Sequence, residues 1–405
     1  MPGMSSASPA PATGTAREVF LAFLRLGLTS FGGPIAHLGY FRREFVQRRR
    51  WLDDERYAQL LAVCQFLPGP ASSQLGFAIG LQRAGARGAL AAFVGFTLPS
   101  ALLLFAYAAL LPHLGARIAD ALTHGLKLVA VAVVAQGVWA MARTLAPDAP
   151  RRVLAVLAAT LVLAIGSAWA QLAAIALGAV LGPWLCRRLT APDSVAFAVP
   201  YATRVAWLAS AVFALGLIAA LVVPLTAPTL PTLAAAFYRA GALVFGGGHV
   251  VLPLLEHATV DTGWLSADAF LAGYGAAQAV PGPMFSLAAL LGAQTPTGAP
   301  AALNTVVALL AIFAPGFLLL TAALPLWNRI AGSARAARAV AGVNAAVVGV
   351  LAAALYDPIW IAGIAGLGDV VIAAVAFALL TWLRRPPLWA VVWCVLAAVT
   401  RALLL

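Results

Sequence analysis

A proline-glycine-proline motif occurs twice in this chain: residues 65–70 read Gln-Phe-Leu-Pro-Gly-Pro, and residues 278–283 read Gln-Ala-Val-Pro-Gly-Pro. Around both copies the same backbone-shaping residues recur in the same order, over 23–80 and 237–293. Chance is a poor explanation for a match in both type and order, so the sequence predicts two homologous halves. The matched pairs are Phe23 with Phe237, Arg25 with Arg239, Gly27 with Gly241, Phe31 with Phe245, Gly32 with Gly246, Gly33 with Gly247, Trp51 with Trp264, Gln65 with Gln278, Gly69 with Gly282, Pro70 with Pro283, Ser73 with Ser286, Pro99 with Pro315 and Gly125 with Gly342.

The composition identifies the environment of these halves. Of the 405 residues, 63% are hydrophobic and only 9% are charged, whereas an ordinary soluble domain has about 25% charged residues. Soluble, disordered and fibrous proteins are therefore excluded, and an all-α polytopic membrane protein is predicted. The net charge of +12 is interpreted as basic loops on the cytoplasmic side of a membrane, not as a nucleic-acid-binding surface.

Charge also predicts how the two halves are oriented. Residues 42–56 contain six arginines, whereas their counterpart 255–269 contains neither arginine nor lysine. Further along the bias reverses, because 112–120 holds one arginine and its counterpart holds Arg329, Arg335 and Arg338. Basic loops lie on the cytoplasmic side, so equivalent loops are expected on opposite sides, as in an inverted-topology repeat.

The apolar runs predict about nine spanning helices and four broken segments. We expect the broken segments to be re-entrant helical hairpins, with tilted full spans as the alternative. The predicted units are a disordered tail (1–16), an N-terminal repeat (17–200), a linker transmembrane helix (201–224) and an inverted C-terminal repeat (225–405), with the N-terminus cytoplasmic and the C-terminus periplasmic. The spanning runs are 88–111, 121–145, 152–168, 171–186, 205–224, 303–326, 338–356, 360–383 and 387–404, and the broken segments are 17–41, 57–82, 231–254 and 268–293.

The glycine and proline breaks are the predicted substrate site. A break within the membrane exposes backbone groups, which are tolerated only inside protein or beside a watery cavity. The half-helix after each break directs free N–H groups and a positive dipole end at it, which suits an anion. The alternative is that the breaks only permit close helix packing. The candidate substrate-binding residues at the breaks are Gly32, Gly33, Pro34, Gly69, Pro70, Gly246, Gly247, Gly282 and Pro283, and the polar residues beside them are Gln65, Ser72, Ser73, Gln278 and Ser286.

A few ionisable residues lie within the apolar stretches and are further candidates. Arg25 and Arg239 are matched charges that either face the substrate or extend to the membrane interface. Lys127, which aligns with Asn344, is either a cation beside an anion path or an ordinary helix-end lysine, and both residues are kept as candidates. The remaining two are His37 and His249, which could carry a proton or pack as neutral side chains.

Several classes of activity lack any sequence signal. Acidic residues are scarce in the apolar runs, which argues for an anion and against a cation as substrate. The sequence has no helical metal-binding His/Glu pair, no phosphate-binding loop and no Gly-x-Ser-x-Gly motif, so we expect no catalytic residue, metal or cofactor. The three cysteines have neither pairing nor metal-ligand spacing and are expected to pack in apolar surroundings.

Taken together, these motifs resemble the chromate ion transporter family in its long, two-domain form. The resemblance rests on Phe31-Gly32-Gly33-Pro34 with His37, Trp51-Leu52, Gln65-x-x-Pro68-Gly69-Pro70 with Gln74, their second-half versions, and residues 344–349 and 356–358. It implies export of chromate across the bacterial inner membrane and chromate resistance, with sulfate as the close structural analogue. The second half has Gly248 at the position that matches Pro34, so the two halves need not contribute equally to the substrate site.

Four hypotheses remain open at this point. The first is a secondary transporter that exports chromate, and the second is a transporter of sulfate or another oxyanion. The third is an anion channel, and the fourth is a membrane enzyme or scaffold. The expected partners are the oxyanion and the lipid bilayer, with no nucleic acid, and a homodimer is a further possibility.

Overall fold

The computed structural model describes residues 14–166, 168–187, 199–245, 248–327 and 333–404. All regular elements within these ranges are helical. The helices are α1 (Ala16–Thr29), α2 (Gly33–Phe41), α3 (Asp54–Phe66), α4 (Ala71–Leu110), α5 (Ala116–Leu145), α6 (Ala149–Ile165), α7 (Ala168–Leu185), α8 (Thr203–Val222), α9 (Leu230–Leu243), α10 (Val251–Thr259), α11 (Ala267–Ala279), α12 (Leu287–Gln294), α13 (Ala301–Ala323), α14 (Ala334–Ala354), α15 (Leu367–Thr381) and α16 (Pro387–Leu404). Short 3₁₀ turns (Leu111–His113, Gly248–Val250, Met284–Ser286, Leu324–Leu326) and π-helical turns (Arg42–Arg48, Leu355–Trp360) adjoin them.

Many helices begin at a polar side chain that caps the first turn. A side-chain oxygen accepts a hydrogen bond from a backbone N–H that has no partner inside the helix. Because such residues are rare inside the apolar runs, they fix where the helices start. The capping residues are Thr15, Asp53, Asp148, Thr229, Ser266 and Ser333.

Six helical stretches in the described ranges are long and apolar enough to cross a bilayer. The other three predicted runs form α6, α7 and α15, which are shorter or less continuous. The prediction of an apolar, all-helical membrane protein is therefore confirmed, whereas nine crossings stay a prediction. The six stretches are Ala71–His113, Ala116–Leu145, Thr203–Val222, Ala301–Leu326, Ala334–Gly363 and Pro387–Leu404.

The helices are interrupted where the sequence predicts breaks. Gly32 separates α1 from α2 with a φ of 106°, and Gly69 and Gly282 have φ values of 122° and 104°. Only glycine adopts such values readily. The long helix α4 leaves helical geometry at Ala84 and Gly85, which divides it between the predicted broken segment and the spanning run after it.

In the first half, both broken segments return to the end of the molecule where they start. Glu18, in the first turn of α1, pairs with Arg83, near the break in α4, at 3.3 Å. The Arg83 guanidinium also lies 5.1 Å from the ring centre of Trp51, in the loop after α2. The start of the first segment, the loop between the segments and the end of the second segment therefore lie together.

The two halves interlock, because helices of each half pack against the other. The first-half helix α5 packs against α11, α15 and α16, and its matched helix α14 packs against α6 and α7. A Cβ on Gly125 would meet the backbone of Val395 in α16, and a Cβ on Gly342 would meet the backbone of Gly178 in α7. Matched glycines thus make matched close approaches to helices of the opposite half.

Apolar side chains also cover much of the outer surface, as the membrane prediction requires. On α8, for example, Trp207, Leu208 and Leu215 are each at least 64% exposed. Such exposure would be unfavourable in water and is expected against lipid. The three cysteines, Cys64, Cys186 and Cys394, are unpaired and buried.

Candidate functional site

The two proline-glycine-proline tips meet the helix breaks of the opposite half. The Gly282 backbone N–H donates to the carbonyl oxygen of Ser30 at 3.0 Å, and the Gly69 N–H donates to the carbonyl oxygen of Val244 at 2.8 Å. Ser30 and Val244 directly precede the matched phenylalanines Phe31 and Phe245. We call the Ser30–Gly282 contact junction one and the Val244–Gly69 contact junction two.

A third element joins each junction, just after the matched prolines Pro99 and Pro315. At junction one, the hydroxyls of Ser100 and Ser286 lie 2.6 Å apart. At junction two, the Gln74 amide donates to the carbonyl oxygen of Gly316 at 2.9 Å. The junctions therefore repeat the same backbone plan, with a tip, a break and a proline-containing helix, while their side chains differ.

Glycine is required at both tips because neighbouring atoms leave no room for a side chain and because the backbone conformation there favours glycine. A Cβ on Gly282 would lie 2.9 Å from the Ser100 hydroxyl, and a Cβ on Gly69 would lie 3.0 Å from the Cα of Gly316. Both distances are shorter than ordinary carbon contacts. Close docking of each tip therefore depends on the missing side chain.

Junction one contains buried polar atoms without a hydrogen-bond partner in the described ranges. They are the Ser30 hydroxyl, the Thr97 hydroxyl and Nδ1 of His37, in residues that are 0%, 3% and 0% exposed. An unsatisfied buried group costs about 1–3 kcal/mol, and native structures retain few. These three atoms are therefore the part of the site that a ligand could complete.

His37 is held in a defined orientation at this junction. Its Nε2 lies 3.2 Å from the carbonyl oxygen of Ser30, so Nε2 carries the donated proton. Its ring packs edge-on against Phe96 at 5.2 Å between centroids. Nδ1 is then the atom that would gain a proton, and the protonated ring would offer an N–H to an anion.

The start of α2 adds a second feature at junction one. Its first residues follow Gly32, and no side chain within the described ranges caps this helix start. Free N–H groups and the positive end of the helix dipole favour an anion. The start of α2 and the unpartnered side chains therefore offer complementary groups to the same kind of ligand.

Junction two has apolar residues at the matched positions. Val244, Phe313 and Gly316 stand where junction one has Ser30, Thr97 and Ser100. The Gln74 amide partly fills this space, since it also donates to the carbonyl oxygen of Pro68 at 3.0 Å. Gln74 Oε1 and the nearby Ser73 hydroxyl remain buried without a partner among the described residues, so the junctions share a backbone plan and differ in which polar groups they offer.

Comparison with known proteins identifies the family. The family model described as chromate transporter matches residues 17–183 and 231–399. The chain belongs to the chromate transporter family. The two matched ranges correspond to the two halves of this transporter, so the resemblance predicted from the motifs is confirmed.

Named relatives of this chromate transporter family member agree with the match. A chromate transport protein of Pseudomonas aeruginosa is 29% identical over 348 residues, covering 84% of this chain and 80% of the relative. A chromate transport protein of Cupriavidus metallidurans is 28% identical over 350 residues, covering 85% and 82%. No solved structure matches the chain.

Most of the predicted break residues of the transporter lie at or beside the two junctions. Ser72 and Ser73 lie in the first turn of α4, each 4% exposed. Gln278 is buried near the second tip, whereas its match Gln65 is exposed near the end of α3. The others described there are Gly32, Gly33, Pro34, Gly69, Pro70, Gly282, Pro283 and Ser286, while Gly246 and Gly247 lie outside the described residues.

The predicted cations make their contacts elsewhere in the transporter. Lys127 pairs with Asp268 in the first turn of α11 at 2.8 Å. Arg239 donates to the carbonyl oxygens of Ala220 and Val223 at the end of α8. Arg25 is exposed, and no ion pair is found for it within the described ranges.

The other predicted polar candidates also lie apart from junction one. His249 Nδ1 is 2.6 Å from the Tyr274 hydroxyl, beside the second-half break. Asn344 lies on α14 and its side-chain oxygen has no partner among the described residues. The sequence prediction missed Ser30, Thr97 and Ser100 of this transporter, although the matched prolines Pro99 and Pro315 marked the right helix.

Proposed function

We propose that this protein is a secondary transporter that exports chromate from the bacterial cytoplasm and confers chromate resistance. The observation that carries the proposal is the group of buried, unpartnered side-chain atoms of Ser30, His37 and Thr97 at junction one. Membership of the chromate transporter family supports chromate as the oxyanion. In this proposal one dianion binds at junction one, between the start of α2 and the second-half tip.

Each group at junction one has a role in the proposal. The hydroxyls of Ser30 and Thr97 donate to the oxygens of the dianion. His37 is the proton carrier, because neutral Nδ1 presents a lone pair to the anion and protonated Nδ1 presents an N–H. The charges of the bound anion are balanced by the helix dipole and this proton, since Arg239 and Lys127 make their contacts elsewhere and Arg25 is exposed.

The proposal includes an inverted arrangement of the two halves in the inner membrane. The asymmetric arginine distribution supports it. The Lys127–Asp268 ion pair also supports it, because it joins the first turn of α11 to the N-terminal half of α5. The N-terminus is then cytoplasmic and the C-terminus periplasmic, with units at 17–200, 201–224 and 225–405. Each chain carries both junctions, so the mechanism does not require a homodimer.

The two junctions suggest how access to the bound anion alternates between the two sides of the membrane. Each tip is docked by one backbone hydrogen bond to the opposite half, with one side-chain hydrogen bond between the halves beside it, and each such bond contributes about 0.5–1.5 kcal/mol. Opening one junction while the other stays closed would expose the bound anion to one side. The membrane potential favours export by about 2.3 kcal/mol per charge per 100 mV.

Export is tested by chromate accumulation in a sensitive bacterium that expresses the protein. Cells with the protein in the inner membrane should accumulate less chromate and grow at higher chromate concentrations than cells with an empty vector. Equal accumulation, with the protein verified in the membrane fraction, would contradict export of chromate.

The alternatives are separated in everted vesicles. Uptake of chromate should saturate, and sulfate should compete if the site accepts any tetrahedral dianion. Saturable sulfate uptake without chromate uptake would favour the sulfate hypothesis. Uptake that rises linearly without saturation would favour the channel.

A further inference from the structure

A cavity of about 90 Å³ lies between α7, α8, α9 and α10, and its lining includes no residue of junction one. Most of its lining is apolar, including Leu172, Leu221 and Leu254. Two polar side chains, Gln171 and Arg239, face this apolar space together with His257. A cavity of this size has room for a small group that can interact with them.

Two of these side chains have buried atoms without a hydrogen-bond partner in the described ranges. Gln171 is 9% exposed, and its Oε1 has no partner. The Nε–H of Arg239 is likewise buried without an acceptor, although its Nη2 donates to the end of α8. Each of these buried groups costs free energy as long as it lacks a hydrogen-bond partner. An occupant with polar atoms would remove that cost, whereas a purely apolar occupant would not.

Charge indicates which ligand would satisfy them. No carboxylate pairs with Arg239 among the described residues. The carboxylate of Asp261 instead accepts a hydrogen bond from Nδ1 of His257 at 2.5 Å. A guanidinium prefers the oxygens of carboxylates, phosphates and similar anions. The Gln171 amide can rotate to present either its oxygen or its NH₂ group, so it suits a protonated or a fully ionised oxyanion.

We propose that this cavity binds a tetrahedral oxyanion through Arg239 and Gln171. The oxyanion could come from solution as a free ion, or it could be the phosphate of an acidic phospholipid whose chains contact the leucines of the wall. In either case the site is separate from junction one.

The linker helix α8 explains why the site is found once in the described ranges. Arg239 is covered by the end of α8, the linker helix that has no counterpart in the repeat. Its match Arg25 lies on α1, where no such helix covers it, and is exposed. The cavity therefore depends on α8 as well as on the arginine.

The free-ion source is tested by calorimetric titration of the purified, full-length protein with inorganic sulfate. The titrations use the Ser30→Val background, in which binding at junction one is weakened by about ten-fold or more, and differences between variants in this background report on the cavity. Arg239→Gln and Gln171→Leu should each weaken this binding by about ten-fold or more. Arg204→Gln is the matched control, because it removes the same charge from an exposed position at the start of α8.

The lipid source is tested by native mass spectrometry after reconstitution in phosphatidylcholine vesicles with or without phosphatidylglycerol. Retention of phosphatidylglycerol by the wild type and the Arg204→Gln control, with loss in Arg239→Gln, would assign the site to a phospholipid. Loss of sulfate binding alone would assign it to a free ion.

One outcome overturns the proposal. If both Arg239→Gln and Gln171→Leu bind sulfate and phosphatidylglycerol as the control does, Arg239 serves only to cap α8. Thermal unfolding of each variant is measured alongside, and Gln171→Leu keeps the test valid if Arg239→Gln does not fold.

Discussion

At the residue scale, the difference between the two halves is concentrated at matched positions. Ser30 and Val244 occupy the same place in the repeat, and each backbone carbonyl accepts a tip N–H. Only the serine brings a hydroxyl, which is buried and has no partner among the described residues. The backbone at this position therefore docks the tip, and the side chain is free to bind a ligand.

This separation predicts the effect of Ser30→Val. The change gives junction one the side chain found at junction two, so the fold should persist. Loss of a donor to a charged ligand should weaken chromate transport by about ten-fold or more, seen as a higher half-saturating concentration in everted vesicles. Ser210→Val on α8 removes a hydroxyl that bonds only within its own helix and should transport normally. Equal transport by both variants would contradict the site.

Gly282→Ala makes a second residue-scale prediction. Its φ of 104° is strained for alanine, and the new Cβ would lie 2.9 Å from the Ser100 hydroxyl. Left-handed strain alone costs about 1–2 kcal/mol, and the contact should additionally undock the tip. We expect a lower thermal midpoint together with loss of transport.

Gly298→Ala is the control for Gly282→Ala. Gly298 has a φ of 81° and open space where a Cβ would lie. Alanine at this position would therefore add backbone strain without a steric clash. If both variants lose stability equally and both still transport chromate, close docking of the tip is not required.

At the element scale, the broken helices could be predicted and their partners could not. Glycine and proline act locally, so Gly32, Gly69 and Gly282 marked their breaks in the sequence. The docking of each tip on the opposite half joins residues about two hundred positions apart, and no local pattern encodes such a pairing. The contacts of the cations could not be predicted for a similar reason, because Arg239 meets the end of α8 only in the folded chain.

Packing of α5 against α15 and α16 depends on one buried carboxylate. Asp369 is 0% exposed and accepts from His124, Arg401 and the Ala365 N–H, each at 2.9 Å. Its partners Arg401 and His124 are 50% and 30% exposed, so loss of the charged acceptor should cost about 1.5–3 kcal/mol, as for hydrogen bonds to charged groups. Asp369→Asn should therefore lower the thermal midpoint strongly.

The matched control for Asp369 is Asp268→Asn. Its carboxylate also forms an ion pair, with Lys127, but its side chain is 60% exposed, and such pairs contribute about 1 kcal/mol or less. Thermal unfolding in detergent compares the two variants. A similar small shift in both would mean that the Asp369 network does not hold these helices together.

At the scale of the whole molecule, the motifs of the repeat indicate the family, but they do not indicate how the helices of the two halves pack against each other. Gly125 and Gly342 are matched in the sequence, yet each packs against the last helix of the other half. A repeat specifies which elements are equivalent, whereas the assembly of the two copies depends on surfaces formed only after folding.

The proposed inverted arrangement predicts opposite accessibility for equivalent loops. Ala86 and Gly298 are exposed and lie in matched loops, and the native cysteines are buried. In a cysteine-free background, a membrane-impermeant thiol reagent should label Gly298→Cys in intact spheroplasts and Ala86→Cys only in everted vesicles. Labelling of both from the same side would contradict the inversion.

The reciprocal junctions also carry an evolutionary consequence. A dimer built from two copies of a single half would have two identical junctions, and every substitution would change both. Fusion of the copies into one chain frees each junction to diverge, which the pairing of Ser30 with Val244 and of Thr97 with Phe313 records. In the proposed mechanism, duplication left one junction able to bind the anion while the matched positions of the other became apolar.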